Sequence, residues 1–232
     1  MTLPACTKRF PRWGRARASG VALALAAMFS AGCSSLKPEA SPTPPSYYSL
    51  DTLGGTPVIA QRVPRTTGYA VIVNTPQAAA GFDSQRIIYV RQAHKLEYFA
   101  HSEWVDPPAR MLAPMIVTAL ESTGAFRAVV SVPGSASGDL RLETEVLMLQ
   151  QEFVTRPSQV RMGLRAYLAE NDSRRVVATR DFEVLQPAPS EDPYGGVLAA
   201  NAAVRVVLGQ LAAFCAETAA GWQPSRKSTQ AR

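Results

Sequence analysis

Between residues 140 and 184 hydrophobicity alternates with period two, three times in succession. In the first stretch Leu140, Leu142, Val146 and Met148 point one way, with Arg141, Glu143 and Glu145 opposite. In the second, Val160, Met162, Leu164, Ala166 and Leu168 share a face against Arg161 and Arg165. In the third, Val176, Ala178, Phe182 and Val184 face away from Asp181 and Glu183. Alternation of this kind belongs to strands with one buried and one wet face. Three such strands in a row predict an antiparallel meander whose middle strand offers arginines to acids on both sides. Opposite charges paired across strands help to fix register, so the ladder reads as a solvated sheet face rather than a binding surface.

A sheet buried on one face needs a cover, and two segments carry the helical period. Met111, Leu112, Met115, Ile116, Ala119 and Leu120 form one apolar stripe, with Asp106 as N-cap, Pro107 at the first helical position and Gly124 as the stop. Pro114 conflicts with this helix, because an interior proline removes a hydrogen bond and clashes with the preceding turn. The expected start therefore shifts towards Pro114, with residues 107–113 as a separate turn. The second helix spans residues 192–219, opens on Asp192-Pro193, carries Val197, Asn201, Val204, Leu208, Leu211 and Cys215 on one stripe, and ends at Gly221. Upstream lie a short strand at Tyr47–Asp51, a loop over 52–67 and a β-branched strand at Tyr69–Asn74. A hairpin of Arg86–Arg91 and Lys95–Phe99 turns at Gln92-Ala93-His94, and a further strand covers Phe126–Val132. The expected fold is α+β over residues 47–222, a mainly antiparallel sheet with two main helices packed on one face.

The N-terminus is of a different kind. Residues 1–20 hold Lys8, Arg9, Arg12, Arg15 and Arg17 and no acid; the apolar run Val21–Phe29 follows, and then Ser30-Ala31-Gly32-Cys33. A basic region, a short apolar region and small residues at the cut describe a secretory signal over residues 1–32. The run is too short for the roughly 20 residues of a membrane span. A cysteine after Ala-Gly is similar to the lipobox of bacterial lipoproteins, although Ser30 stands where leucine is usual. That likeness implies acylation of Cys33, which would then begin the mature chain. Residues 33–46 are rich in Pro and Ser and read as a tether, and 223–232 as a basic disordered tail.

Loss of the signal changes the charge. The whole chain has 24 basic and 18 acidic residues; without residues 1–32 it has 19 and 18. A near-neutral body gives no electrostatic reason for nucleic-acid binding. Cys215 is then the single cysteine of the mature body, so that body forms no internal disulfide and no CxxC metal site.

No catalytic constellation stands out. His94 and His101 are the only histidines. His101, Glu103 and Asp106 are loosely spaced and lack a second histidine, so no metal and no cofactor is expected. There is no G-x-S-x-G elbow and no phosphate loop. Binding is the class that remains. Tyr47, Tyr48, Tyr89, Tyr98, Phe99 and Trp104 concentrate before the first helix. The neighbours Tyr47-Tyr48 and Tyr98-Phe99 cannot both face inward from a strand, which leaves a second aromatic surface. Tyr89, Tyr98 and Trp104 are its candidate partner interface.

The chain resembles the ABC-type transport auxiliary lipoprotein family. The likeness rests on Cys33, Tyr47-Tyr48-Ser49-Leu50, Gln85–Arg91, Leu96-Glu97-Tyr98, Trp104 with Pro108, and Ala199–Ala203 leading to Phe214. Val105-Asp106-Pro107 departs from the usual pattern after the tryptophan. The resemblance implies a non-catalytic lipoprotein anchored through its lipid to the periplasmic face of the outer membrane. It implies as partners an MCE-domain protein and ABC transporter subunits of a lipid transport system, with self-association left open. Two other readings stand beside it: a lipoprotein that itself binds lipid between sheet and helices, and a regulator of a cell-wall enzyme.

Overall fold

The thirteen-residue strand β7 (Leu140–Glu152) organises the fold, because both of its edges are occupied along their length. The computed structural model describes residues 44–50, 67–132 and 137–224. The signal, Cys33, most of the tether, most of the 52–67 loop and most of the basic tail lie outside the described residues. Along one edge β7 pairs antiparallel with β8 (Gln159–Glu170), which pairs antiparallel with β9 (Val176–Pro187). This is the meander expected from the alternation.

The other edge of β7 is shared by three short strands in succession, all parallel to it. β2 (Ala70–Val73) meets its start at Val71 and Leu140, β3 (Gln77–Ala78) its middle at Gln77 and Glu145, and β4 (Arg86–Gln92) its end at Ile88 and Gln150. β4 turns back into β5 (Lys95–Trp104), against which the edge strand β1 (Ser46–Tyr48) lies parallel; β6 (Ala128–Ser131) closes the far side on β2, also parallel. The α+β class holds, but the sheet is mixed rather than mainly antiparallel. The parallel pairs join segments far apart in sequence, which periodicity does not reveal.

Both helices belong to the core of one sheet face. α1 (Pro108–Ser122) packs on β2, β6 and β7, and α2 (Pro193–Gly221) on β8 and β9, with the helices touching each other. Leu112, Ile116 and Leu120 of α1 and Leu208 and Leu211 of α2 are fully buried with Leu140, Leu142, Leu164 and Leu168 of the strands. Cys215 is buried among them, and desolvation pushes its thiol up to about 12. It behaves there as a small hydrophobe.

Three local expectations need correction. α1 starts at Pro108, well before the expected start near Pro114, and runs unbroken through that proline, so residues 108–113 are its first turns and not a separate turn. Pro114 and Arg110 both face solvent, so water can satisfy the carbonyl that the proline leaves unpaired. Asp106 does not cap the helix; its carboxylate lies 3.5 Å from Arg110. In β7 a bulge between Val146 and Met148 reverses the phase, so that Met148 pairs with Gly163 on the outer face and Leu149 is buried in its place. Other local signals match the structure: Gly124 takes φ +65° after α1, and the Asp192 carboxylate accepts from Gly195 N–H at 2.7 Å at the start of α2.

Candidate functional site

The hairpin end of the sheet brings together rings, charged pairs and a cleft. β4 and β5 join through Ala93-His94, with His94 at φ +67°, and β7 and β8 join through residues 153–158 beside them. Tyr89 lies opposite Glu97 on β5 and Gln151 on β7. Strand alternation therefore puts Tyr89, Glu97, Phe99 and Gln151 on the helix-bearing face and Tyr98 on the other.

On the helix-bearing face three rings meet. Tyr89 lies 4.5 Å from Phe99 and 5.9 Å from Phe153 between centroids, and Phe99 lies 6.4 Å from Phe153, the contacts with Phe153 being edge-on. These spacings suit the ring quadrupoles. Arg91 stands 5.5 Å from the Tyr89 centroid and donates two hydrogen bonds to Glu97. The guanidinium holds the Glu97 carboxyl down to about 2. Beneath the rings, Gln151 Nε2 donates to Ser158 Oγ at 2.9 Å, and Ser158 N–H donates to Glu191 Oε1 at 2.7 Å. Gln151 packs against Gly196 at the start of α2, where a Cβ would collide with its carboxamide. The adjoining cavity, lined by Ile87, Trp104 and Ala200 among others, is about 10 Å³, room for roughly one water.

On the helix-free face a cleft of about 530 Å³ opens between the two hairpin ends, lined by Val90, Lys95, Leu96, Gln150, Val154 and Arg161 among others. Leu96, Tyr98 and Val154 are exposed around this end. Arg86 stacks its guanidinium 4.8 Å above the Tyr98 ring, a cation–π contact. Arg161 grips Glu152 with bonds of 2.7 and 3.1 Å and also reaches Glu183. Rings, aliphatic side chains, amides and paired charges make up most of this end, with the His94 imidazole and the Thr155 hydroxyl also lining the cleft. Side chains of these kinds are the ones that make apolar and charge-assisted contacts to another surface.

The structure does not bring the three expected interface residues together. Tyr89 is half-buried on one face of the hairpin and Tyr98, 39 % exposed, is on the other. Trp104 is 3 % exposed and belongs to the core cluster. It closes β5 facing the helices, so it cannot meet a partner while the fold is intact. Sequence reasoning missed Phe153 and Val154. Phe153 continues the phase of Leu149 and Gln151 past the bulge, a signal visible once the bulge is placed. Among the described residues no cluster of three His, Cys, Asp or Glu could hold a metal.

Comparison with known proteins bears on the whole domain. Residues 48–212, from β1 into α2, match the family described as ABC-type transport auxiliary lipoprotein component. The chain belongs to this family. Among solved structures it is similar to protein XCC0632 from Xanthomonas campestris, at 24% identity and TM-score 0.65, covering 75% of this chain and 95% of that one. A second, uncharacterized protein superposes at TM-score 0.55 with 14% identity, covering 75% and 98%. These likenesses concern the fold. No curated protein matches the sequence.

Proposed function

We propose that this chain is a lipid-anchored adaptor, held by Cys33 on the periplasmic face of the outer membrane, that docks the MCE-domain component of an ABC-type lipid transport system. The observation that carries the reading is the family match from β1 into α2. The adaptor acts by binding, through the hairpin end that presents Tyr89 on one side and Tyr98 on the other. The alternative of a lipid held between sheet and helices gains no support from the packing. Small residues let α2 approach the sheet closely, and the cavity at Gly196 is about 10 Å³, far below the 300–1,000 Å³ of ordinary ligand pockets.

Crosslinking in intact cells, followed by affinity purification of the lipidated protein and mass spectrometry, tests this. An MCE-domain protein and ABC subunits among the leading partners are expected. Cell-wall synthases without an MCE protein would sink the reading. Tyr89→Ala combined with Tyr98→Ala should abolish partner capture while far-UV circular dichroism stays unchanged. Joint loss of fold and capture would mark these residues as structural.

A further inference from the structure

The tether enters the domain beside the most apolar exposed strip of the helix layer. The Tyr48 ring at the end of β1 lies 6.2 Å from that of Tyr194, and Asn201 Nδ2 donates to the Ser49 carbonyl at 3.2 Å. The chain arriving from the N-terminal side thus meets the first half of α2. From Tyr194, successive steps of four residues reach Leu198, Ala202 and Val206, which share one side of the helix. Tyr194 is 55 % exposed, Leu198 43 % and Val206 44 %. The stripe is about 18 Å long. α2 carries only two charges in 29 residues, Arg205 and Glu217, and only 56 % of its most apolar stretch of 18 residues is buried. Its opposite side packs on β8 and β9, so α2 is not free to cross a bilayer.

We propose that this stripe rests on the lipid surface that carries the anchor. The inference rests on the reading of Cys33 as acylated. However residues 34–45 are arranged, the thirteen steps from Cys33 to Ser46 span at most about 45 Å. The bilayer is therefore never farther than that from β1, and the stripe lies on the side where the tether arrives. The ends of the stripe fit an interface: Tyr194 at one end and Arg205 beside Val206 at the other pair an apolar body with a polar tip. The outer sheet face, with its rows of charged pairs, would have to desolvate them to lie on lipid.

The test uses full-length acylated protein, its Cys33 modification verified by intact mass, in phosphatidylethanolamine–phosphatidylglycerol vesicles. Nitroxide labels are placed by Leu198→Cys, by Val206→Cys and, on the outer sheet face, by Thr179→Cys. Native Cys215 is buried and does not label. The ratio of collision rates with oxygen and with a water-soluble nickel complex should be several-fold higher at 198 and 206 than at 179. Equal ratios at the three positions on acylated protein overturn the docking and leave the anchor standing. Low rates with both reagents, with spin–spin broadening that fades on dilution by unlabelled chain, mean that a second copy covers the stripe. Low rates without broadening mean that another segment of this chain does. Protein whose Cys33 carries no acyl chain overturns the anchor and this inference with it.

Discussion

The two faces of one sheet are built on opposite rules. β7, β8 and β9 carry ten charged residues, most of them on the outer face, whereas α1 and α2 together are longer and carry four: Arg110, Glu121, Arg205 and Glu217. On the covered face, Leu142, Val146, Leu164 and Leu168 are fully buried against the helices. On the bare face, Arg161 joins Glu152 to Glu183 and Arg165 grips Asp181 with two bonds of 2.8 Å. Apolar burial contributes free energy in proportion to area, while ion pairs in water contribute little. Stability therefore belongs to the covered face, and register and solubility to the bare one.

Truncation at the centre of the covered face is the strongest way to break this division. Leu164 is fully buried and sits between Val146 and Phe182 on the neighbouring strands. Leu164→Ala should cost about 2–5 kcal/mol, the range for buried leucines whose surroundings relax only in part. Urea titration followed by circular dichroism measures it. A loss below about 1 kcal/mol would mean that the core repacks around the hole, and the contrast between faces would then be weaker than burial suggests.

The covered face is not wholly apolar, and Gly196 sharpens the comparison where it meets Gln151. A Cβ there would collide with the carboxamide, which is held by Ser158, itself tied through backbone bonds to Glu191 and Ala188. Gly196→Ala should destabilise by about 1–3 kcal/mol, the usual cost of overpacking. Adding Gln151→Ala should recover part of the loss, because the two sites share one contact. Additive losses in the two single variants would show that the glycine is needed for backbone reasons instead.

These positions also mark where the sequence was readable. Period-two alternation gave the meander, and Asp192-Pro193 and Gly124 gave helix ends, because each signal is local and tied to one backbone geometry. The lining of β7 by β2, β3 and β4 was hidden, since parallel pairing depends on segments distant in sequence. The bulge at β7 was hidden too: one extra residue leaves the composition unchanged yet sends Met148 out and Leu149 in. At the candidate site, Tyr98 and Phe99 stand on opposite faces, as strand alternation requires of neighbours. That Trp104 faces the helices is not legible in the same way, because an aromatic at the end of a strand has the same pattern whether it faces core or water.

The smallest effect belongs to the bare face, and its sign with pH is fixed. Arg161 donates to Glu152 and so holds that carboxyl below its ordinary value. A group depressed in the folded state stabilises fully above its unfolded value, roughly 4.3 for a glutamate, and loses that contribution as pH falls through the folded value. A double-mutant cycle with Arg161→Met and Glu152→Gln at pH 7 should give a coupling of about 1 kcal/mol or less. The coupling should shrink in high salt and vanish at a pH low enough to protonate Glu152. Because Arg161 also reaches Glu183, removing the arginine leaves two acids without that partner, and Arg161→Met alone should cost more than Glu152→Gln alone. A coupling as large as the Leu164→Ala loss would mean that the ladder bears folding stability as well as register, and the division between the two faces would fail at the strand they share.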